Sequence, residues 1–269
     1  MALADLPPFV LAALRFLLAS VPVAFFVARP AMPSRDLVAY GFAIGVCQFG
    51  LLFLGMKLGM PAGLSSLVIQ LQVFFTIALG VAFLGDRLSR MNVLAAGASV
   101  TLVGFLLVVA AAVAWAIGNI IAKRAAGHYR VDGFSVVVWS SLVPPLPLAA
   151  LSWLFEGGPA IIDSIKNAGV TTWASVLFLA WGATLFGYVT WNRLLHRYPT
   201  ALISPFALLI PVSGLASGAI FLGESLTPMQ AAGAALVLAG LAVTVFGNRV
   251  GYGRMTSHAE SVTSRSSGR

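Results

Sequence analysis

The sequence predicts an all-α protein, a polytopic bundle of transmembrane helices arranged as two inverted repeats. Three observations carry this. Of 269 residues, 59% are hydrophobic and only 9% charged, with a mean hydropathy of +0.97, which leaves too little polar surface to cover a soluble globule. Apolar segments of about 20 residues recur between short polar breaks, the length a helix needs to cross roughly 30 Å of hydrocarbon. No segment alternates with the period of a barrel strand, and lipid tolerates only backbones that bond internally, so helices remain. Finally, the chain repeats itself. FLGDRL at Phe83–Leu88 returns as FLGESL at Phe221–Leu226, and a shift of 138 positions makes about 10 of the 28 residues from Pro61 to Leu88 coincide, the mark of an internal duplication.

Taken in order, residues 7–28 form the first span, opened by Pro7 and Pro8 and closed by Arg29 and Pro30. The second covers 37–56 and ends at Lys57. The third runs from Ala62 to Leu84, with Gly85 as its C-terminal glycine. From Met91 to Ala122 there is neither charge nor proline, too long a stretch for one comfortable span and too short for two. A basic loop of Lys123, Arg124, His128 and Arg130 follows, then a span at 133–155 holding Pro144, Pro145 and Pro147, and a polar loop at 156–170. Further spans are expected at 172–194, 201–222 and 229–247. The Ser- and Arg-rich tail from Arg249 has no apolar periodicity and reads as disordered.

The net charge of +8 does not point to nucleic acid, because its carriers sit in short loops and the tail. They read instead as a topology signal. With the loops at Arg29/Arg35, Arg87/Arg90, Lys123/Arg124/Arg130 and Arg193/Arg197 facing the cytoplasm together with the C-terminus, only Lys57 and Lys166 remain opposite. FLGDRL then lies inside and FLGESL outside, so the two copies cross in opposite directions, the inverted-repeat plan of secondary transporters. An inverted repeat needs an odd number of spans per copy. The second copy, residues 109–248, supplies five. The first, residues 1–108, shows no counterpart of the helix carrying Trp115 and Asn119, and is expected to begin at its second span. Eight or nine spans result, followed by a tail at 249–269. The lone Cys47 excludes an internal disulfide, and the first span, with Arg15 at its middle and no basic start, reads as retained.

These motifs resemble the EamA-type transporters of the drug/metabolite transporter superfamily, and among them most closely the subgroup that exports O-acetylserine and cysteine. The resemblance rests on LRFLLASVPVAFFVARP at Leu14–Pro30, GMPAGLSSLVIQLQVFFTIALG at Gly59–Gly80, AWAIGNIIAKR at Ala114–Arg124 and LLIPVSGLASGAIFLGESLT at Leu208–Thr227. It implies ten spans in two five-helix inverted repeats around a central substrate cavity. This chain departs from the pattern in the first helix and in the connection between the fourth and fifth family helices, where LVGFLLV joins directly to AAAVAW.

Ionisable and amide side chains at mid-membrane depth are costly unless they face a bundle interior or a wet cavity. Arg15 lies about 10 Å inside the first span, where a guanidinium can hold a substrate carboxylate through paired hydrogen bonds; its structural alternative is to cap neighbouring carbonyls. Gln48, Gln70 and Gln72 follow. Ser65, Gln72 and Thr76 share one stripe of the third span and Ser66 with Gln70 a neighbouring one, so at least one glutamine stripe faces the cavity; the alternative is interhelical bonding that holds the bundle. Trp115 and Asn119 lie four apart, an indole wall beside an amide, with Lys123 one turn on as a snorkelling cation. Tyr188 and Trp191, with Asn192, either line the pore or form an interfacial belt. Asp86 and Glu224 read as caps at equivalent span ends, and no acid lies deep in a span.

The function that fits is export of small polar metabolites, amino acids of the cysteine pathway such as O-acetylserine, by alternating access at the inner membrane. A truncated, non-transporting remnant or membrane scaffold is the alternative. An intramembrane enzyme fits poorly, since His128, His196 and His258 stand outside the spans and no nucleophile or metal motif appears. No cofactor is called for. The partners are a small-molecule substrate and the lipid bilayer, with a homodimer left open and nucleic acid excluded.

Overall fold

The computed structural model describes residues 5–60, 65–66, 68–84, 102–129, 131–222 and 235, and every element among them is helical. Residues 85–101 with Asp86, Arg87 and Arg90, together with Arg130, Glu224, the 229–247 span apart from residue 235, and the tail, lie outside the described residues. The chain divides into two compact units, Met1–Ala201 and Leu202–Arg269.

In the first unit, α1 spans Pro8–Ala24. It starts where the paired prolines predict, because Pro7 and Pro8 lack the N–H groups that a first turn leaves unbonded. Two remaining amides, Phe9 and Val10, donate to the carboxylate of Glu156 at 2.8 and 3.3 Å, a cap delivered from a distant helix end. α1 stops at Ala24, short of the expected 28, and Phe25 and Phe26 beyond it are almost fully exposed.

α2 covers Ser34–Lys57 and opens a turn earlier than expected, since Pro33 fixes the preceding backbone and Asp36 suits the first turn. Its middle, Phe42–Cys47, is a π-helix. Gly41 and Gly45 face the break in the next helix pair so closely that added Cβ atoms would stand 2.3 Å from the Ser140 carbonyl oxygen and 1.9 Å from Pro144 Cγ. Small residues four apart permit such approach between spans.

A 3-10 turn, Ile69–Leu71, leads into α3, Gln72–Leu84. α4 is a single helix, Leu102–His128. It runs unbroken through residues 108 and 109, where the joint between repeats was expected, and it begins well before 110. Lys123 and Arg124 are therefore helical, not part of a loop, which places their charge near the negative end of the helix dipole. α2 and α3 both pack along α4, and Gly118 admits Ile44, whose Cδ1 would lie 2.4 Å from a Cβ there.

The span expected at 133–155 is two helices, α5 (Gly133–Ser140) and α6 (Pro145–Glu156). Pro144, Pro145 and Pro147 remove the donors that would continue the ladder, so the axis breaks before them. Asp132 caps α5 through the Ser135 amide. The loop expected at 156–170 contains a further helix, α7 (Gly158–Asn167). Gly157, at φ +84°, makes the sharp turn, and Ile161 and Ile165 pack against the Leu6–Val10–Leu11–Val176 cluster while Asp163 and Lys166 stay exposed. Periodicity was masked there by glycine and polar residues. α8 spans Val170–Arg197 with a long π-helical centre, Phe178–Gly187. Arg193, His196 and Arg197 belong to its last turns and do not form a separating loop.

In the second unit a 3-10 segment, Ser204–Leu208, with Pro205 in its first turn, precedes α9, Leu209–Leu222. Among the described residues, α2, the α5–α6 pair, α4 and α8 are long and apolar enough to cross a membrane, and α1, 69–80 and 200–213 are shorter apolar helices.

Candidate functional site

Arg15 sits at the centre of α1, which packs on α6 and on the π-helical part of α8. Its Nε donates to Thr184 Oγ1 at 2.5 Å. The guanidinium lies 4.8 Å from the ring centre of Phe49, 5.4 Å from Phe16 and 6.0 Å from Tyr188, so aromatic faces supply an electrostatic attraction to the cation. Among the described residues the ion pair is Arg35 with Asp36 at 3.5 Å, and no carboxylate approaches Arg15. With Phe49 on α2 and Tyr188 on α8 both facing it, the Arg15 guanidinium stands where α1, α2 and α8 meet. The i→i+5 bonding of the π-helix, repeated by the Thr184 hydroxyl donating to the Leu179 carbonyl at 2.8 Å, turns Thr184 toward Arg15.

A second polar group joins α3, α4 and α8. Asn119 Nδ2 donates to Gln72 Oε1 at 3.3 Å and to Thr76 Oγ1 at 3.1 Å, while its Oδ1 accepts from Trp191 Nε1 at 3.1 Å. Thr76 Oγ1 also donates to Gln72 Oε1 at 3.2 Å. One position on, Asn192 Nδ2 donates to the Tyr40 hydroxyl at 3.0 Å. Adjacent residues of α8 are thus fastened to α4 and to α2.

Several buried polar atoms on α2, α4 and the Ile69–Leu84 segment have no protein partner: Gln48 Oε1, Gln70 Oε1, Gln72 Nε2 and Trp115 Nε1. Gln48, Gln70 and Gln72 are 3%, 6% and 0% exposed. An orphaned buried amide forgoes about 1–3 kcal/mol, a cost sustained where a ligand or water completes the bonding. Trp115 connects the region, because it packs both against the cluster of Tyr40, Ile44 and Tyr188 and against that of Ile69, Leu51 and Val108. A cavity of about 10 Å³ is lined by Phe16, Tyr40, Gly45, Pro144, Thr184 and Tyr188. That is the room of a single water, so entry of an amino-acid-sized molecule requires these helices to part.

All eight sequence-selected residues lie in the first unit, with Arg15 and Tyr188 in the first group, Gln72, Asn119 and Trp191 in the second, and Gln48, Gln70 and Trp115 contributing orphaned atoms. Sequence reasoning missed Thr184 and Tyr40. Tyr40, Ile44 and Gln48 share an i, i+4, i+8 stripe that could have exposed the latter; Thr184 had no comparable signal. No group of three His, Cys, Asp or Glu among the described residues is placed to hold a metal.

A family model described as the EamA-like transporter family matches residues 1–105 and again 102–246, and the chain belongs to this family of membrane transporters. It is 46% identical to a Salmonella typhimurium protein described as a "Probable amino-acid metabolite efflux pump", over 91% of this chain and 88% of that one. A protein of the same description from Escherichia coli is 42% identical over the same shares. A "Probable terminal-alkyne amino-acid exporter" of Streptantibioticus cattleyicolor is 25% identical over 80% of this chain and 74% of its own length. One crystal structure shares the fold at a TM-score of 0.73 and 22% identity, over 92% of both chains. The chain is therefore a multi-pass transporter and not an enzyme.

Proposed function

We propose that the protein exports small amino-acid metabolites across the inner membrane by alternating access, with the cysteine-pathway compounds O-acetylserine and cysteine among its substrates. The observation that carries this is Arg15, a cation that meets no acid among the described residues, in a unit that also holds orphaned buried amide and indole groups. A guanidinium so placed receives a carboxylate in bidentate fashion, and the orphaned donors and acceptors complete an amino-acid-sized ligand. The names of the relatives at 46% and 42% identity support the same class.

The sequence duplication supports two inverted repeats, 1–108 and 109–248, rocking about this site, with the C-terminal tail at 249–269 cytoplasmic. A second copy in a homodimer is compatible with the exposed apolar helix faces. Cells overproducing the protein are expected to release more O-acetylserine and cysteine into the medium. Arg15→Ala should abolish the increase while the protein still inserts at normal abundance. Equal release from cells with and without the protein refutes the assignment.

A further inference from the structure

Thr184 is fully buried in the π-helical part of α8, and its hydroxyl has one proton to give and two lone pairs to offer. In an ordinary helix a threonine hydroxyl reaches back to the carbonyl three or four residues earlier. Here the wider turn brings the Leu179 carbonyl, five residues back, within 2.8 Å, and the proton goes there. With that proton committed, the oxygen can only accept from α1, and the Arg15 Nε–H meets it at 2.5 Å. The direction of the second bond is thus fixed by the first.

A guanidinium is a rigid plane, so few constraints suffice to aim it. The Thr184 oxygen holds its inner corner, and the rings of Phe49 and Phe16, 4.8 and 5.4 Å from its central carbon, limit its tilt. A long side chain held in this way loses less freedom when a ligand arrives, and the outer edge with Nη1 and Nη2 is already set for a planar carboxylate. Resting on the reading that Arg15 receives the substrate carboxylate, we propose that Thr184 is a positioning residue for transport, whose hydroxyl, locked as an acceptor by Leu179, orients the Arg15 fork and acts on the substrate through it.

The test is uptake of O-acetyl-L-serine by liposomes holding the purified full-length protein, at mildly acidic pH where acyl migration is slow. Thr184→Val keeps the branched shape and removes the acceptor; KM should rise about tenfold, the scale of one charge-assisted hydrogen bond, with a much smaller change in kcat. Thr184→Ser, which keeps the hydroxyl, should recover most of that affinity. Arg15→Lys retains the charge but has no Nε–H to be held. It should raise KM by itself, and adding Thr184→Val to it should raise KM no further. Should Thr184→Val fail to insert, Thr184→Ala removes the same oxygen and carries the same expectations. An unchanged KM on loss of the hydroxyl, or an equal rise with Arg15 and with Arg15→Lys, overturns the positioning role and leaves the exporter assignment standing. A KM indifferent to Arg15→Lys overturns the reading of Arg15 on which this inference rests. Flux no greater than that of protein-free liposomes overturns the exporter assignment and this inference with it.

Discussion

Replacing Asn119 by alanine strips three hydrogen bonds from the junction of α3, α4 and α8. Gln72 Oε1 keeps Thr76 as a donor, but Trp191 Nε1 loses its acceptor. Hydrogen bonds between helices in a bilayer average about 0.6 kcal/mol each. Three of them predict a loss of about 2 kcal/mol for Asn119→Ala, enough to lower the folded-to-unfolded ratio about thirtyfold. The assay is denaturant unfolding of the purified protein in detergent micelles, carried out on a double-mutant cycle with Trp191→Phe, which removes only the indole donor at similar volume. The cycle should return a coupling near 0.6 kcal/mol between positions 119 and 191. A coupling indistinguishable from zero, with each single change destabilising, would show that the Trp191 to Asn119 bond does not fasten α8 to α4, and the argument for a latched site would fail.

Two further expectations concern packing. Glu156→Gln removes the charged acceptor that holds the Phe9 and Val10 amides and the Ser152 hydroxyl; thermal unfolding should show a loss of about 1 kcal/mol, as for other helix N-caps. Gly118→Ala drives a methyl group to 2.4 Å from Ile44 and should cost about 1–3 kcal/mol by overpacking, while the same change in an Ile44→Ala background should cost far less, which parallel melts of the four proteins will read.

The all-helical membrane fold was legible because it depends on composition and apolar length, quantities that survive any local irregularity. The helix-facing placement of the candidate residues was legible for a related reason: Arg15, Gln72 and Asn119 are polar groups in stretches where lipid would penalise them, and each bonds to a neighbouring helix. What escaped was local. The α7 helix hid behind Gly157, Gly158 and Pro159, which resemble loop punctuation but here make a turn and a first helical residue. The break before Pro145 was announced by three prolines, yet a hydropathy reading treats α5 and α6 as one span. Lys123, Arg124, Arg193 and Arg197 mark helix ends and not loops, because cations favour the last turns. Thr184 could not be found at all, since its direction depends on a backbone irregularity that residue spacing does not encode.

That irregularity has a consequence for comparing this chain with its relatives. Wherever hydrogen bonding lengthens from i→i+4 to i→i+5, each helical turn takes in an additional residue, and everything downstream is rotated about the axis relative to an ordinary helix. Tyr188, Trp191 and Asn192 all follow the Phe178–Gly187 stretch, so their facing is set by its phase. A relative with identical residues at these three positions but one residue fewer upstream would point them at different neighbours, and kinship in sequence would then overstate kinship in selectivity.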